Sequence, residues 1–277
     1  MVIDFHTHFF PDRIAINTIQ YLRKRMMQVT GTDMTADEAF PIYTDATYKS
    51  TFELMDRSNI DKFVLLPIAT NERQSTNVNN YAESMGSDRV IPFGSVYPFQ
   101  KDWEYVLDDL HDRGFQGIKL HPEGQQFYID GSEGMRVLKK ADRLGLIVVI
   151  HAGADPGYTE PYHSSPQRIA NVIKEVDGSR IIAAHMGGLN QWDDVERYLV
   201  GTSIHMDTSY ISKVINFSQY RRIIENHGAD KIVFGSDCPW QEPQEALKSI
   251  YSLGLDGQSL DLITHKNAER LLGILPS

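Results

Sequence analysis

A (β/α)8 barrel, distorted by an insertion after its first strand, is the fold class this chain predicts, and three observations predict it. Eight short apolar runs rich in Val and Ile recur along the 277 residues, with helical patterns between them. From Pro67 onward the ends of these runs fall 22 to 34 residues apart, about one strand–helix unit each. Several runs are apolar at consecutive positions, as strands covered on both faces require.

The strands are expected at 2–8 (VIDFHTH), 62–67 (KFVLLP), 89–96 (RVIPFGSV) and 116–121 (QGIKLH), then at 146–151 (LIVVIH), 180–185 (RIIAAH), 203–207 (SIHMD) and 231–237 (KIVFGSD). Between them, 102–113 reads as a helix because Trp103, Val106, Leu107 and Leu110 form an i, i+3, i+4, i+7 stripe, and Gly114 stands where a C-cap glycine belongs. Stretches 134–145 and 165–178 follow the same plan, the second with Ser165 as cap and Pro166 in the first turn. The first unit is irregular. Between His8 and Asp61 lie 52 residues with two helix-like stretches, 13–28 and 46–59, and the surplus is expected to form a lid or rim at the barrel mouth. No linker, low-complexity segment or longer repeat interrupts the rhythm, so residues 1–277 read as one domain. An open doubly wound sheet is the alternative. No GxGxxG or GxxxxGK[ST] loop follows a strand, which weakens its nucleotide-binding version.

Bulk properties narrow the function. Hydrophobic residues make up 41% of the chain, enough for a large core. The formal charge of −10 leaves no basic footprint for nucleic acid and fits a protein handling small molecules. The single cysteine, Cys238, permits no intrachain disulfide and reads as a small packing residue. No signal-peptide pattern and no membrane-length apolar run is visible, so the expectation is a cytoplasmic protein without a membrane partner, with a homodimer as the default assembly.

Polar residues at strand ends carry the chemistry. His8, His121, His151, His185 and Asp237 each close an apolar run, and in a barrel those ends share one mouth. Alternation puts His6 and His8 on one face with Asp4, and Lys119 on one face with His121. Imidazole nitrogens and a carboxylate are what a zinc-like ion takes, with an open position left for water. Each element alone has a plain structural reading: a strand-end pair of histidines, a hydrogen-bonded His151, Asp237 as a helix cap. Converging on one cavity, unpartnered, they would cost about 1–3 kcal/mol each, and an ion supplies the partner.

DFHTH (4–8), GIKLHP (117–122), VIHAG (149–153), AAHMGG (183–188) and VFGSDCPW (233–240) resemble the amidohydrolase superfamily. The nearer likeness is to its amidohydrolase-related branch, which includes aminocarboxymuconate semialdehyde decarboxylase. The resemblance runs through nearly the whole chain. It implies one divalent ion, zinc first with manganese or iron as alternatives, held by His6, His8, His151 and Asp237. It also implies His185 as the base or acid beside the reacting water and Asp237; the residues alone do not separate ligand His151 from base His185.

Around that centre, His121 is expected to contact substrate. Lys119 is a substrate contact or a buried ammonium paired with a carboxylate, and less readily a carboxylated lysine bridging two ions. Arg13 could clamp a substrate carboxylate, and Tyr158, in the loop ADPGYTEPYHSSP (154–166), could line the pocket. His205 and Asp207 share a face but receive no role, and His227 and His265 read as structural. The leading expectation is metal-dependent hydrolysis of a small amide, lactone or ester. The alternative is metal-dependent non-oxidative decarboxylation of an unsaturated or aromatic acid, and the third is a non-catalytic binding protein on the same scaffold.

Overall fold

A computed structural model describes residues 1–274. The eight strands appear in the expected order and all pair in parallel: β1 (Ile3–Thr7), β2 (Lys62–Leu65) and β3 (Val90–Pro92) in one sheet; β4 (Gly117–Leu120), β5 (Ile147–Ile150), β6 (Ile181–Ala183), β7 (His205–Asp207) and β8 (Ile232–Val233) in the other. Backbone hydrogen bonds cross both remaining seams. Gly94 N–H donates to Gly117 O at 2.9 Å between β3 and β4, and Phe5 N–H donates to Phe234 O at 2.8 Å between β1 and β8. With helices between the strands, this is the TIM-barrel plan.

Two apolar layers hold it together. Ile3, Phe5, Val64, Phe93, Val149 and Ile182 fill the barrel interior, with Phe5 and Phe93 packed edge to face at 5.7 Å. A larger layer lies between strands and helices, including Phe63, Leu65, Leu107, Leu110 and Ile150. The amphipathic stripe at 103–110 forms the helix Trp103–Asp112, followed by Gly114 at φ +82°. The helix expected at 165–178 stops at Val172, and Ser165 holds the cap position without a side-chain hydrogen bond. The insertion supplies α1 (Asp12–Thr30) and a second helix, Tyr48–Arg57, whose cap Thr47 accepts Ser50 N–H.

One departure matters for the site. Strict alternation would place Asp4 with His6 and His8. The β1–β2 register runs Ile3↔Lys62, Asp4↔Phe63 and then Thr7↔Leu65, so β1 carries one extra residue between Asp4 and Thr7. The irregularity lets Phe5 join the inner core while His6 and His8 face the mouth. Asp4 instead turns its Oδ1 to the backbone amides of His6 and Ser236, and its burial pushes the carboxyl up to about 7.

At the opposite end of the barrel, His205 opens β7 with neither ring nitrogen meeting a protein partner. Burial pulls His205 down to about 4, and Arg270 adds to it; burial does the same to the neighbouring His227. A histidine held neutral in the fold contributes stability that is complete above its unfolded value of about 6.5 and lost as pH falls towards 4. Urea unfolding between pH 7.5 and 4.5 should therefore show stability dropping with acid. His205→Leu should flatten that slope by up to one proton, about 1.4 kcal/mol per pH unit. An unchanged slope would show that His205 titrates alike in both states.

Candidate metal centre and proton-transfer groups

The mouth is built from strand ends that leave regular geometry. His185 and Met186 after β6, and Asp237 after β8, adopt left-handed backbone, at φ +59°, +53° and +67°. Such conformations cost roughly 1–3 kcal/mol each for residues with a Cβ and gather where a side chain must be aimed. Gly153, at φ +82° after β5, is a glycine for a different reason. A Cβ there would stand 2.3 Å from Leu189 N, because the ends of β5 and β6 touch backbone to backbone.

His6, His8 and Asp237 come together at the mouth. His6 Nδ1–H donates to Asp207 Oδ2 at 2.7 Å, and His8 Nδ1–H donates to Leu66 O at 2.8 Å. Both Nε2 atoms are therefore bare lone pairs. They lie 3.2 Å apart, and Asp237 Oδ1 lies 3.5 Å from the first and 3.3 Å from the second. No hydrogen bond can join the two Nε2 atoms, since neither carries a proton. Three acceptors converge where a cation belongs. A tetrahedral shell with bonds of about 2.0–2.2 Å has edges of about 3.3–3.6 Å, so the three donors already match one face of it. The residues fit a divalent ion.

The charges around the triad agree with that use. Burial pulls His6 down to about 4, and Lys119 contributes, so His6 stands neutral as a ligand must. Burial alone would raise Asp207, yet its close contact with His6 and the hydrogen bonds it accepts from His6 and Ser209 hold it well below the usual carboxylate range. Burial likewise works against Asp237, and His6 and His8 outweigh it and keep the carboxyl low. Asp207 is the orienting partner: its Oδ2 fixes His6, and its Oδ1 accepts His185 N–H, Ser209 N–H and Ser209 Oγ–H.

His185 sits beside this group, its ring centroid 5.4 Å from that of His6. Its Nδ1–H donates to Ser209 O at 3.0 Å, leaving Nε2 as the working nitrogen. Burial lowers His185 below its ordinary value. His151 does not join the three donors. Its Nδ1 meets His185 Nε2 at 3.0 Å and its Nε2 faces Ala154 O at 3.2 Å, because His121 stacks on it with centroids 4.3 Å apart and planes 10° from parallel. The expected fourth ligand is thus a neighbour of His185 in this structure, held there by stacking.

His121, His151 and Asp155 also bring ligand-type atoms close together, but they do not suit an ion. An ion lies in the plane of each imidazole that binds it, and two stacked rings share no plane. His121 Nδ1 accepts Gly124 N–H at 3.1 Å, so Nε2 carries the proton and stands 3.2 Å from Asp155 Oδ2.

Lys119 lacks the carboxylate partner expected of a buried ammonium, and Arg13 stands apart from the site. Lys119 has no carboxylate within ion-pair distance among the described residues. It is buried and donates to His6 Nε2 at 3.1 Å, and burial pulls its ammonium down to about 8. Arg13 lies on the exposed side of the first turn of α1, with no hydrogen bond or ion pair among the described residues, because the helix turns that position to solvent. Tyr158 does stand at the mouth, 6.2 Å from His121, beneath Arg25 rather than Arg13. Sequence reasoning named Asp207 without giving it a role and passed over Asp155 and Arg25. Asp207 closes β7 as Asp237 closes the run after β8, and the same strand-end rule would have found it. His205 is at the far end of β7, away from the mouth.

No helix of the described residues is long and apolar enough to cross a membrane. No curated protein matches the chain. Solved structures do. An uncharacterized TIM-barrel protein from Bordetella bronchiseptica superposes with a TM-score of 0.74 at 18% identity, covering 98% of both chains. A 5-carboxyvanillate decarboxylase from Novosphingobium aromaticivorans, solved with bound manganese, gives 0.71 at 15% identity over 99% of this chain and 97% of its own. A probable 2-pyrone-4,6-dicarboxylic acid hydrolase from Acinetobacter baumannii gives 0.65 at 17% identity over 99% of both. At these identities they establish the barrel and nothing finer. The amidohydrolase family model matches residues 3–274, almost the whole chain, and on that match the protein belongs to the amidohydrolase family.

Proposed function

We propose that the protein is a metal-dependent hydrolase of a small-molecule amide, lactone or ester. The observation that carries this reading is the face of three acceptors, His6 Nε2, His8 Nε2 and Asp237 Oδ1, set beside a histidine whose Nδ1–H is committed to Ser209 O and whose Nε2 meets only His151 Nδ1. A divalent ion held there, zinc first by its donor set, with manganese or iron as alternatives, supplies Lewis-acid polarisation of the scissile carbonyl and acidifies water. The manganese of the decarboxylase neighbour supports an ion of this class. The chain's own residues do the rest. Asp237 Oδ2 accepts no hydrogen bond among the described residues and is free to orient the attacking water. His185 Nε2 takes the water's proton and returns it to the leaving atom, while Ser209 O holds the ring and Asp207 the backbone amide. With the His6 lone pair engaged, Lys119 Nζ is left to face the substrate.

Decarboxylation of an unsaturated or aromatic acid is the second reading. It is favoured by Lys119 and Arg25, two cations near the mouth of an acidic chain, and by the decarboxylase neighbour. A panel of lactones, esters, amides and carboxylic acids, followed for ring opening or acid production and for CO2, separates the two. Hydrolysis without CO2 is expected. CO2 release with no hydrolytic turnover would replace the first reading by the second.

A further inference from the structure

The insertion after β1 returns to the barrel through residues 31–46, GTDMTADEAFPIYTDA, which lie between α1 and the helix Tyr48–Arg57. Little apolar packing holds this segment: only Phe40 and Ala46 are buried. It carries Asp33, Asp37, Glu38 and Asp45 and no basic residue, in a chain already acidic. Its attachments are polar, and they flank the triad. Tyr43 N–H donates at 3.0 Å to the carbonyl of Pro239, two residues beyond Asp237. Ala46 O accepts at 2.9 Å from the amide of Phe10, two residues beyond His8. Lys213, in the loop after β7, donates from Nζ to Tyr43 Oη at 2.9 Å. The same ammonium stands 2.6 Å from Glu245 Oε2, in the first turn of the helix Pro243–Ser252. Both ends of the segment lie in left-handed backbone. Gly31 closes α1 at φ +59°, with nothing within 4 Å of where a Cβ would stand, and Ala46 holds φ +59°, a strained value for a residue with a Cβ. Beside these anchors the triad is nearly sealed: the side chains of His6, His8 and Asp237 are 1%, 11% and 11% exposed. Anything that reaches their lone pairs needs part of the mouth to move.

We infer that residues 31–46 are a lid over the triad, hinged at Gly31 and Ala46 and latched by the contact of Lys213 with Tyr43. The inference rests on the reading of the triad as the reacting centre. A segment with few buried apolar contacts opens locally while the barrel stays folded. Arg23 also pairs with the segment, through Asp37, but it belongs to α1 at the hinge side. Lys213 instead joins the segment to the barrel on the side of Asp237, so its contact is the one that opening must break. Once Tyr43 leaves Lys213 and Pro239, the path to His8 Nε2 and Asp237 opens and the strain at Ala46 can relax.

The test follows two signals on the metal-free full chain, in wild type, Tyr43→Phe, Lys213→Met and the double variant. They are hydrogen exchange in the peptide carrying Tyr43 and acylation of His8 by diethyl pyrocarbonate, both read by mass spectrometry. Each single variant should speed exchange at Tyr43 by about two- to tenfold, the range one hydrogen bond sets, and leave the barrel strands unchanged. Acylation of His8 should rise by the same factor. The double variant should exceed the stronger single by less than about twofold, because both changes break one contact. Three outcomes overturn the inference: exchange at Tyr43 unchanged in both single variants, faster exchange shared by the barrel strands, or faster exchange with His8 acylation unmoved. Zinc uptake, measured in parallel by equilibrium dialysis, separates the inference from the functional reading. Acylation that follows the latch in a chain that binds no zinc sinks only the functional reading. Stoichiometric zinc binding with acylation that ignores the latch sinks only the inference.

Discussion

His8→Ala should lose more than about 100-fold in affinity for a divalent ion and should have no hydrolytic turnover above background. His8 is the member of the triad to remove, because its other contact is a single bond from Nδ1 to Leu66 O and its ring is partly exposed. His6 is also bound to Asp207 and Ser209, and Asp237 holds left-handed backbone at φ +67° that few other residues adopt. Their removal would mix loss of metal with loss of fold. The size of the effect follows from the donor count. Groups that only orient a ligand change affinity by about 10–100-fold, which is the range expected for Asp207→Asn. Deleting one of three donors should exceed it. Equilibrium dialysis with zinc and manganese, read beside the thermal unfolding of each variant, checks the result. Stoichiometric metal at wild-type affinity in His8→Ala would remove the triad from consideration.

The barrel was legible because its signal is repeated. Eight apolar runs at a steady spacing leave few other architectures, and errors in one unit do not move the rest. The triad was legible for a related reason: strand ends share one mouth, so His6, His8 and Asp237 can be brought together without knowing a single contact. What escaped the sequence depends on departures from regularity. The extra residue in β1 decouples Asp4 from His6, and alternation cannot see it. His151 has the position of a ligand, yet stacking with His121 and a bond to His185 decide where its nitrogens point. Arg25 lies on a long helix whose polar positions look alike in sequence; only the turn that meets Gly157 distinguishes it from Arg13. Backbone path therefore came from pattern, whereas side-chain direction came from particular neighbours.

Replacing His185 should separate holding the ion from moving the proton. His185→Gln is expected to lower kcat by about 10²–10⁴-fold, the usual contribution of a positioned acid or base, and to leave metal content unchanged. The expectation follows from its bonds. Nδ1–H is committed to Ser209 O, and the backbone amide is held by Asp207, so Nε2 is the only nitrogen able to exchange a proton. The bond from Trp192 Nε1–H goes to the His185 backbone carbonyl and does not depend on the side chain that glutamine replaces. The pH profile supplies the second readout. Burial sets His185 below its ordinary 6.5, so its working neutral form persists into mildly acidic solution and the acid limb of wild-type kcat/KM should lie below pH 6.5. In His185→Gln that limb should vanish along with most of the rate. Loss of stoichiometric metal in His185→Gln would instead make this residue a ligand, and His151, already turned towards it, would be the nitrogen left to carry the proton.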